Sequence, residues 1–114
     1  MTDYSANTYQ KQALRTEAGS CDNSQRLVQG LMGLAGEAGE AIDILKKHMF
    51  QGHELDKEHI AEELGDVAWY LAVSADAIGY SLSDILSKNI EKLEQRYPNG
   101  FESERSVHRG YLCE

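Results

Sequence analysis

Apolar residues recur three and four positions apart over most of the chain, a spacing that places them on one face of an α-helix. Turn-rich segments separate these stretches, and the single proline, Pro98, falls near the end of the last one. We find no segment with the alternation typical of a strand. The pattern predicts an all-α protein in which amphipathic helices joined by short loops pack as a four-helix bundle.

Four helices follow from this spacing, covering about residues 4–18, 24–48, 56–79 and 81–97. Ser24 and Asp56 are the predicted N-caps of the second and third helices, because their side-chain oxygens can accept from free backbone N–H groups. Gly79 suits the position directly after the last residue of the third helix, where glycine is common. The tail from about Ser103 is expected to be loosely held.

The two middle helices each carry a long apolar stripe that is expected to face inward. The stripes comprise Leu27, Leu31, Leu34, Ala38, Ile42 and Leu45 on the second helix, and Ile60, Leu64, Val67, Leu71, Ala75 and Ile78 on the third. At 114 residues the chain fits one domain over 1–114, with a core of about 24–101. A domain of this size would gain considerably from further burial in an oligomer.

Charge limits the possible partners. Lys and Arg number 11 against 19 Asp and Glu, a net charge of −8, which disfavours nucleic acid and anionic membranes. A triphosphate remains possible if divalent cations lie between it and the carboxylates. Neither a signal peptide nor an apolar run long enough to span a bilayer is evident, so a cytoplasmic protein is expected.

Two pairs of carboxylates supply the candidate chemistry. Glu37 and Glu40 are three residues apart on the second helix, as are Glu63 and Asp66 on the third, so each pair projects from one helix face. Both pairs fall on the same flank of their stripes, whereas Glu62 faces away and is expected to be solvated. One such pair is typical of a solvated helix, but two matched pairs favour a Mg²⁺ site, with Mn²⁺ as a possible substitute.

The second helix also carries four glycines, each of which costs about 1 kcal/mol relative to alanine within a helix. They are Gly30, Gly33, Gly36 and Gly39. Close packing of a neighbouring helix is the favoured explanation, ahead of close approach by a substrate. The four histidines show no paired ligand spacing, and surface or loop positions are predicted for them.

Three segments, GLAGEAGEAID, EELGDVAWYLA and NIEKLEQRYPNGF, resemble the MazG-like branch of the all-alpha nucleotide pyrophosphohydrolases. The resemblance covers about residues 27–101, and YQKQALRTE in the first helix is similar to the branch's N-terminal segment. It implies Mg²⁺-dependent cleavage of nucleoside triphosphates to monophosphate and pyrophosphate, with Glu37, Glu40, Glu63 and Asp66 as metal ligands. It further implies a homodimer or homotetramer.

The resemblance also places substrate-binding residues on the fourth helix and after the second acidic pair. These are Asn89, Lys92, Arg96, Tyr97 and Tyr70, of which the first three share one helix face. Trp69 is predicted to belong to the core. Some relatives carry an extra acid just before the first pair, where this chain has Gly36, and this departure leaves the number of metal ions open.

Two other functions compete with this one. A di-iron carboxylate bundle requires Glu-x-x-His on two helices, and neither acidic pair supplies the histidine. A non-catalytic helical dimer, acting as a binding or regulatory module with a merely solvated acidic flank, is the alternative function. The sequence leaves open the base, the sugar, the general base and whether the nucleotide is an ordinary, damaged or signalling one.

Overall fold

A computed structural model describes residues 4–108. Within this range the chain forms five helices: α1 (Ala6–Leu14), α2 (Asn23–Gln51), α3 (Lys57–Ala77), α4 (Leu82–Arg96) and α5 (Ser103–Val107). No strand forms among these residues, where Pro98 and Gly100 make only an isolated bridge. The predicted all-α class is confirmed. None of the helices described combines the length and apolar character that a bilayer span requires.

The chain divides into two compact units, residues 1–82 and 83–114. The described part of the first unit contains α1, α2 and α3, with α3 packed against both of the others. The described part of the second contains α4 from Ser83 onward, together with α5. The four acidic residues singled out in the sequence all lie in the first unit.

Local hydrogen bonds explain where α2 and α3 begin and end. The predicted cap Ser24 is wrong: Asp22 accepts from Gln25 N at 2.9 Å while the Gln25 side chain accepts from Asp22 N at 3.0 Å. This reciprocal capping box satisfies two free donors, which Ser24 alone could not do. The other two predictions are confirmed, since Asp56 accepts from His59 N at 3.0 Å and Gly79 has a φ of 83°.

Both ends of the described chain differ from prediction. Helix α1 stops at Leu14, because the chain then enters a turn. In this turn the Thr16 backbone N–H donates to the Ala13 carbonyl, with 3.0 Å between nitrogen and oxygen. The segment after Ser103, expected to be loosely held, forms α5 up to residue 107. There Arg105 donates to the carbonyls of Gln95 and Arg96 at the end of α4, groups that lack partners within their own helix. The remainder of the tail lies outside the described residues.

Helices α2 and α3 run antiparallel at close range. Gly30 lies beside Ser74 and Gly33 beside Tyr70, so positions ascend on one helix as they descend on the other. A Cβ added at Gly30 would lie 2.2 Å from Ser74 Oγ, and one at Gly33 would lie 2.2 Å from Tyr70 Cε1. Close packing is therefore confirmed as the reason for these two glycines. A Cβ added at Gly36 would have no neighbouring atom within 4 Å.

A buried glutamine joins α1 to this pair. Gln10 donates from Nε2 to the carbonyls of Ala72 at 3.0 Å and Tyr80 at 3.3 Å, and its Oε1 accepts from Leu82 N at 2.9 Å. Around it Ala13, Ala72 and Leu82 form the buried apolar cluster of the first unit. These bonds satisfy backbone groups that would otherwise be costly to bury.

The predicted inward stripes are only partly correct. Leu27 and Leu34 are half-buried, but Leu31 is 55% exposed, Ile42 67% and Leu64 58%. The stripe on α2 has a covered part and an exposed part, because close contact at Gly30 and Gly33 turns a neighbouring face of the helix, and not the stripe itself, toward α3. We call the exposed part the outer α2 face, which consists of Val28, Leu31, Ile42, Leu45 and Met49.

Alanine at two neighbouring glycines should have opposite effects. Gly33→Ala pushes a methyl group into the Tyr70 ring and should lower the free energy of unfolding by about 1–3 kcal/mol. Gly36→Ala meets open space and should raise it by about 0.5–1 kcal/mol, because alanine restricts the unfolded chain. Urea titrations followed by circular dichroism measure both values, and equal effects would contradict the packing described.

Candidate metal centre

The antiparallel packing of α2 and α3 brings three predicted acids together. One carboxylate oxygen each from Glu37, Glu63 and Asp66 lie within 4.8 Å of one another. Glu63 is buried at 8% exposure, Glu37 is half-buried and Asp66 is exposed. The cluster therefore begins inside the helix pair and opens toward solvent at Asp66.

Two oxygens in this cluster lack a protein partner. Glu37 Oε2 and Glu63 Oε2 are buried without a hydrogen bond from any residue of the described chain. Burying a carboxylate in this way is costly unless a cation or donor compensates it. A hard divalent ion such as Mg²⁺ prefers oxygen ligands of this kind and retains sites for water and phosphate. The donor set thus fits the ion that the sequence predicted.

The fourth predicted acid, Glu40, lies close to Glu37 on α2. It is exposed and is not one of the three residues whose oxygens converge. Its carboxylate nevertheless acts on Glu37. The adjacent Glu63 carboxylate, burial, and the nearby Glu40 carboxylate together raise the pKa of Glu37 to about 7. The raised pKa is the electrostatic signature of acids held together without a compensating positive charge.

Sequence analysis missed two neighbours of the cluster. His59 lies at the surface as predicted, yet its Nε2 is 3.3 Å from Glu63 Oε1. The four-residue spacing on one helix could have indicated this contact. Tyr9 of α1 has a raised pKa, caused by burial and by the negative charge of Asp66. That neighbour could not be found from spacing, because it depends on how α1 packs on α3.

A cleft of about 420 Å³ is lined by residues of α2, α3 and the segment that follows α1. Its lining residues are Glu17, Ala18, Gln29, Gly30, Met32, Trp69, Tyr70 and Val73. Tyr70 is one helical turn from Asp66, and Gly33, which the Tyr70 ring contacts, is one turn from Glu37. The predicted substrate residue Tyr70 therefore lines the cleft and lies one helical turn from the acidic cluster, whose three converging acids do not themselves line the cleft.

Fixed side chains form the cleft walls. Arg26 donates to both oxygens of Glu17, at 2.8 and 2.9 Å, and also to Asp76 at 2.7 Å. Trp69 donates from Nε1 to Thr16 Oγ1 at 2.8 Å, and its ring packs against the core as predicted. The rings of Trp69 and Tyr70 meet edge to face with centroids 5.0 Å apart. These contacts hold Glu17, Trp69 and Tyr70 of the cleft lining in place.

The other predicted substrate residues belong to the second unit. Asn89 and Lys92 are exposed on α4, whereas Arg96 and Tyr97 at its end are half-buried. The Tyr97 ring stacks at a tilt on Phe101, with centroids 5.2 Å apart. Their role toward a substrate stays a prediction.

Fold and site define an all-α protein with a carboxylate cluster suited to a divalent cation and with an aromatic cleft on the same two helices. Residues 25–101 match the family described as the MazG nucleotide pyrophosphohydrolase domain, and the chain belongs to that family. The chain is also similar to Gene 37 protein of Mycobacterium phage L5, with 35% identity over 92 residues, 77% of this chain and 81% of the phage protein. No protein of solved structure matches it. The resemblance found in the sequence is confirmed.

Removing the charge of Glu37 should stabilise the metal-free protein at neutral and alkaline pH. Folding raises the pKa of Glu37 from 4.5 to about 7, so the folded state holds this proton more tightly than the unfolded state does. Glu37 therefore costs stability as the pH rises through that interval. In EDTA, Glu37→Gln should melt above wild type at about pH 8 and close to it at about pH 5.

Thermal melts followed by circular dichroism measure this difference. Glu62→Gln removes a neighbouring exposed charge of α3 and serves as the control, for which no such pH-dependent gain is expected. Coincident melting of Glu37→Gln and wild type at alkaline pH would show that the acids do not repel one another as described.

Proposed function

We propose that the chain is a Mg²⁺-dependent nucleoside triphosphate pyrophosphohydrolase. It cleaves the bond between the α and β phosphates and releases nucleoside monophosphate and pyrophosphate. The observation that carries this proposal is the convergence of three carboxylates that leave two buried oxygens without a protein partner. Membership of the MazG nucleotide pyrophosphohydrolase family supports the reaction class.

In this proposal Glu37, Glu40, Glu63 and Asp66 hold the metal, with Mn²⁺ as a substitute for Mg²⁺. When bound, the ion neutralises triphosphate charge and activates water. A cation is needed in any case, because the chain carries a net charge of −8 and its acids would repel a free triphosphate. Glu37, Glu63 and Asp66, whose oxygens converge, would hold the ion directly, and the exposed Glu40 would add negative charge beside Glu37.

The base and sugar are proposed to occupy the cleft lined by Tyr70, one helical turn from Asp66. Its volume of about 420 Å³ is ample for a nucleoside, and pockets of this size commonly bury small ligands. Tyr70 supplies an aromatic surface for the base. On α4, Lys92 and Arg96 are proposed to bind phosphate oxygens, which both side chains suit chemically. Asn89 and Tyr97 are proposed as further substrate contacts on that helix.

A second copy of the chain is proposed to cover the outer α2 face, giving a homodimer or homotetramer. Ile42 is 67% exposed and Met49 63%, and a continuous apolar strip of this kind is characteristic of a protein interface. Further burial would also offset the small size of the apolar core. Hydrolysis of free nucleotides suits an enzyme that clears unwanted triphosphates from the cytoplasmic nucleotide pool.

Losing one metal ligand should abolish turnover while leaving the helices intact. Glu63→Gln keeps the shape of the side chain but removes its charge, and should reduce pyrophosphate release on the order of a hundredfold or more. Glu62→Gln, the adjacent exposed acid, should retain wild-type turnover. A coupled pyrophosphate assay with Mg²⁺ and a panel of ribo- and deoxynucleoside triphosphates makes the comparison.

Two results would count against the proposal. Full turnover in Glu63→Gln would discard the site assignment. No turnover by wild type on any triphosphate, combined with no saturable Mg²⁺ binding in calorimetry, would favour the non-catalytic binding module.

A charge on the outer α2 face should separate the copies. Wild type should elute with a mass that is a multiple of 12.7 kDa in size-exclusion chromatography with light scattering. Ile42→Lys should shift this mass to that of one chain, because burying a lysine between apolar faces is unfavourable. Lys47→Gln, on the same helix but off this face, should leave the mass unchanged. A monomeric wild type would overturn the assignment.

A further inference from the structure

The two oxygens of Glu63 have different surroundings. Oε1 lies 3.3 Å from His59 Nε2, one helical turn earlier on α3. Oε2 is buried and has no partner in the described part of the chain. The same carboxylate contributes to the cluster with Glu37 and Asp66. One side of Glu63 is therefore engaged by the protein, while its other oxygen has no protein partner.

We propose that His59 is a positioning residue for the metal centre. Its Nε2–H donates to Glu63 Oε1 and holds the carboxylate in the orientation that turns Oε2 toward the cation. The inference rests on the proposed metal site, and it concerns a residue outside the acidic set. A donor behind a metal ligand fixes the orientation of that ligand before the ion arrives, and such partners strengthen metal binding.

The backbone around His59 is suited to this role. Asp56 caps α3 by accepting from His59 N at 3.0 Å, which fixes the helical turn that carries the imidazole. The spacing of four residues then places His59 and Glu63 on one helix face. His59 does not share the cluster of converging ligand atoms, which comprises Glu37, Glu63 and Asp66. It therefore acts through Glu63 and not as a ligand.

A solvated ion pair is the competing explanation, since the His59 side chain is 51% exposed. Such pairs contribute little and would leave cation affinity unchanged. Metal binding by the protein alone therefore separates the two explanations. It requires neither substrate nor turnover, so it is independent of the reaction assigned above.

The test is a calorimetric titration of Mn²⁺ and of Mg²⁺ into wild type, His59→Leu, His59→Phe and His59→Gln. The first two variants lack a donor, so their dissociation constant for the cation should be about tenfold higher than that of wild type. The Gln amide N–H can replace the imidazole donor, so His59→Gln should bind close to wild type. Glu58→Gln, which removes a neighbouring exposed charge on the same turn, is the matched control.

Coupling to Glu63 supplies a second readout. In a Glu63→Gln background the further change His59→Leu should cause no additional loss of affinity. In turnover assays His59→Leu should raise the Mg²⁺ concentration needed for half-maximal rate while kcat at saturating Mg²⁺ stays near wild type. A merely structural role would instead lower the melting temperature without this separation.

The outcomes are distinguishable. If wild type binds neither cation, the metal site of the proposed function fails. If wild type binds and both donor-lacking variants bind equally well, only the role of His59 is overturned. Should His59→Leu not fold by circular dichroism, the comparison of His59→Phe with His59→Gln decides in the same way.

Discussion

The close antiparallel contact between α2 and α3 is the constraint on which the rest of this structure depends. Where Gly30 meets the Ser74 side chain and Gly33 meets the Tyr70 ring, α2 contributes no side chain of its own to the contact. That contact fixes both the rotation and the register of α2 on α3. With them set, Glu37 must lie opposite Glu63 and Asp66, one turn further along the same groove. Packing at the glycines thus determines the geometry of the acids.

Much of the site could be predicted from the sequence because it depends on local geometry. Acids three residues apart share a helix face whatever the helix packs against, so the pairs ending in Glu40 and Asp66 were evident. The Asp56 cap and the Gly79 terminus are likewise local. The convergence of three acids required one further assumption, that the two helices are neighbours, and the structure bears this out.

The rest could not be predicted, for identifiable reasons. The apolar residues of α2 spread over one arc that is covered only in part, so helical spacing alone grouped the half-buried Leu27 and Leu34 with the exposed Leu31 and Ile42. Only the contact with α3 shows which face is covered. The capping error had a different origin, since Ser24 is a good cap by itself but Asp22 with Gln25 makes two bonds. Burial of Glu63 also depends on tertiary packing.

The bonding of Gln10 has a consequence for loop length. The single side-chain amide of Gln10 forms hydrogen bonds with three main-chain groups, at Ala72, Tyr80 and Leu82. These groups lie on both sides of the turn between α3 and α4. Glutamate would lack the donor and methionine would lack both functions. An inserted or deleted residue in that turn would move Leu82 N out of reach. Related chains that have glutamine at the position of Gln10 are therefore expected to have a turn of the same length between α3 and α4.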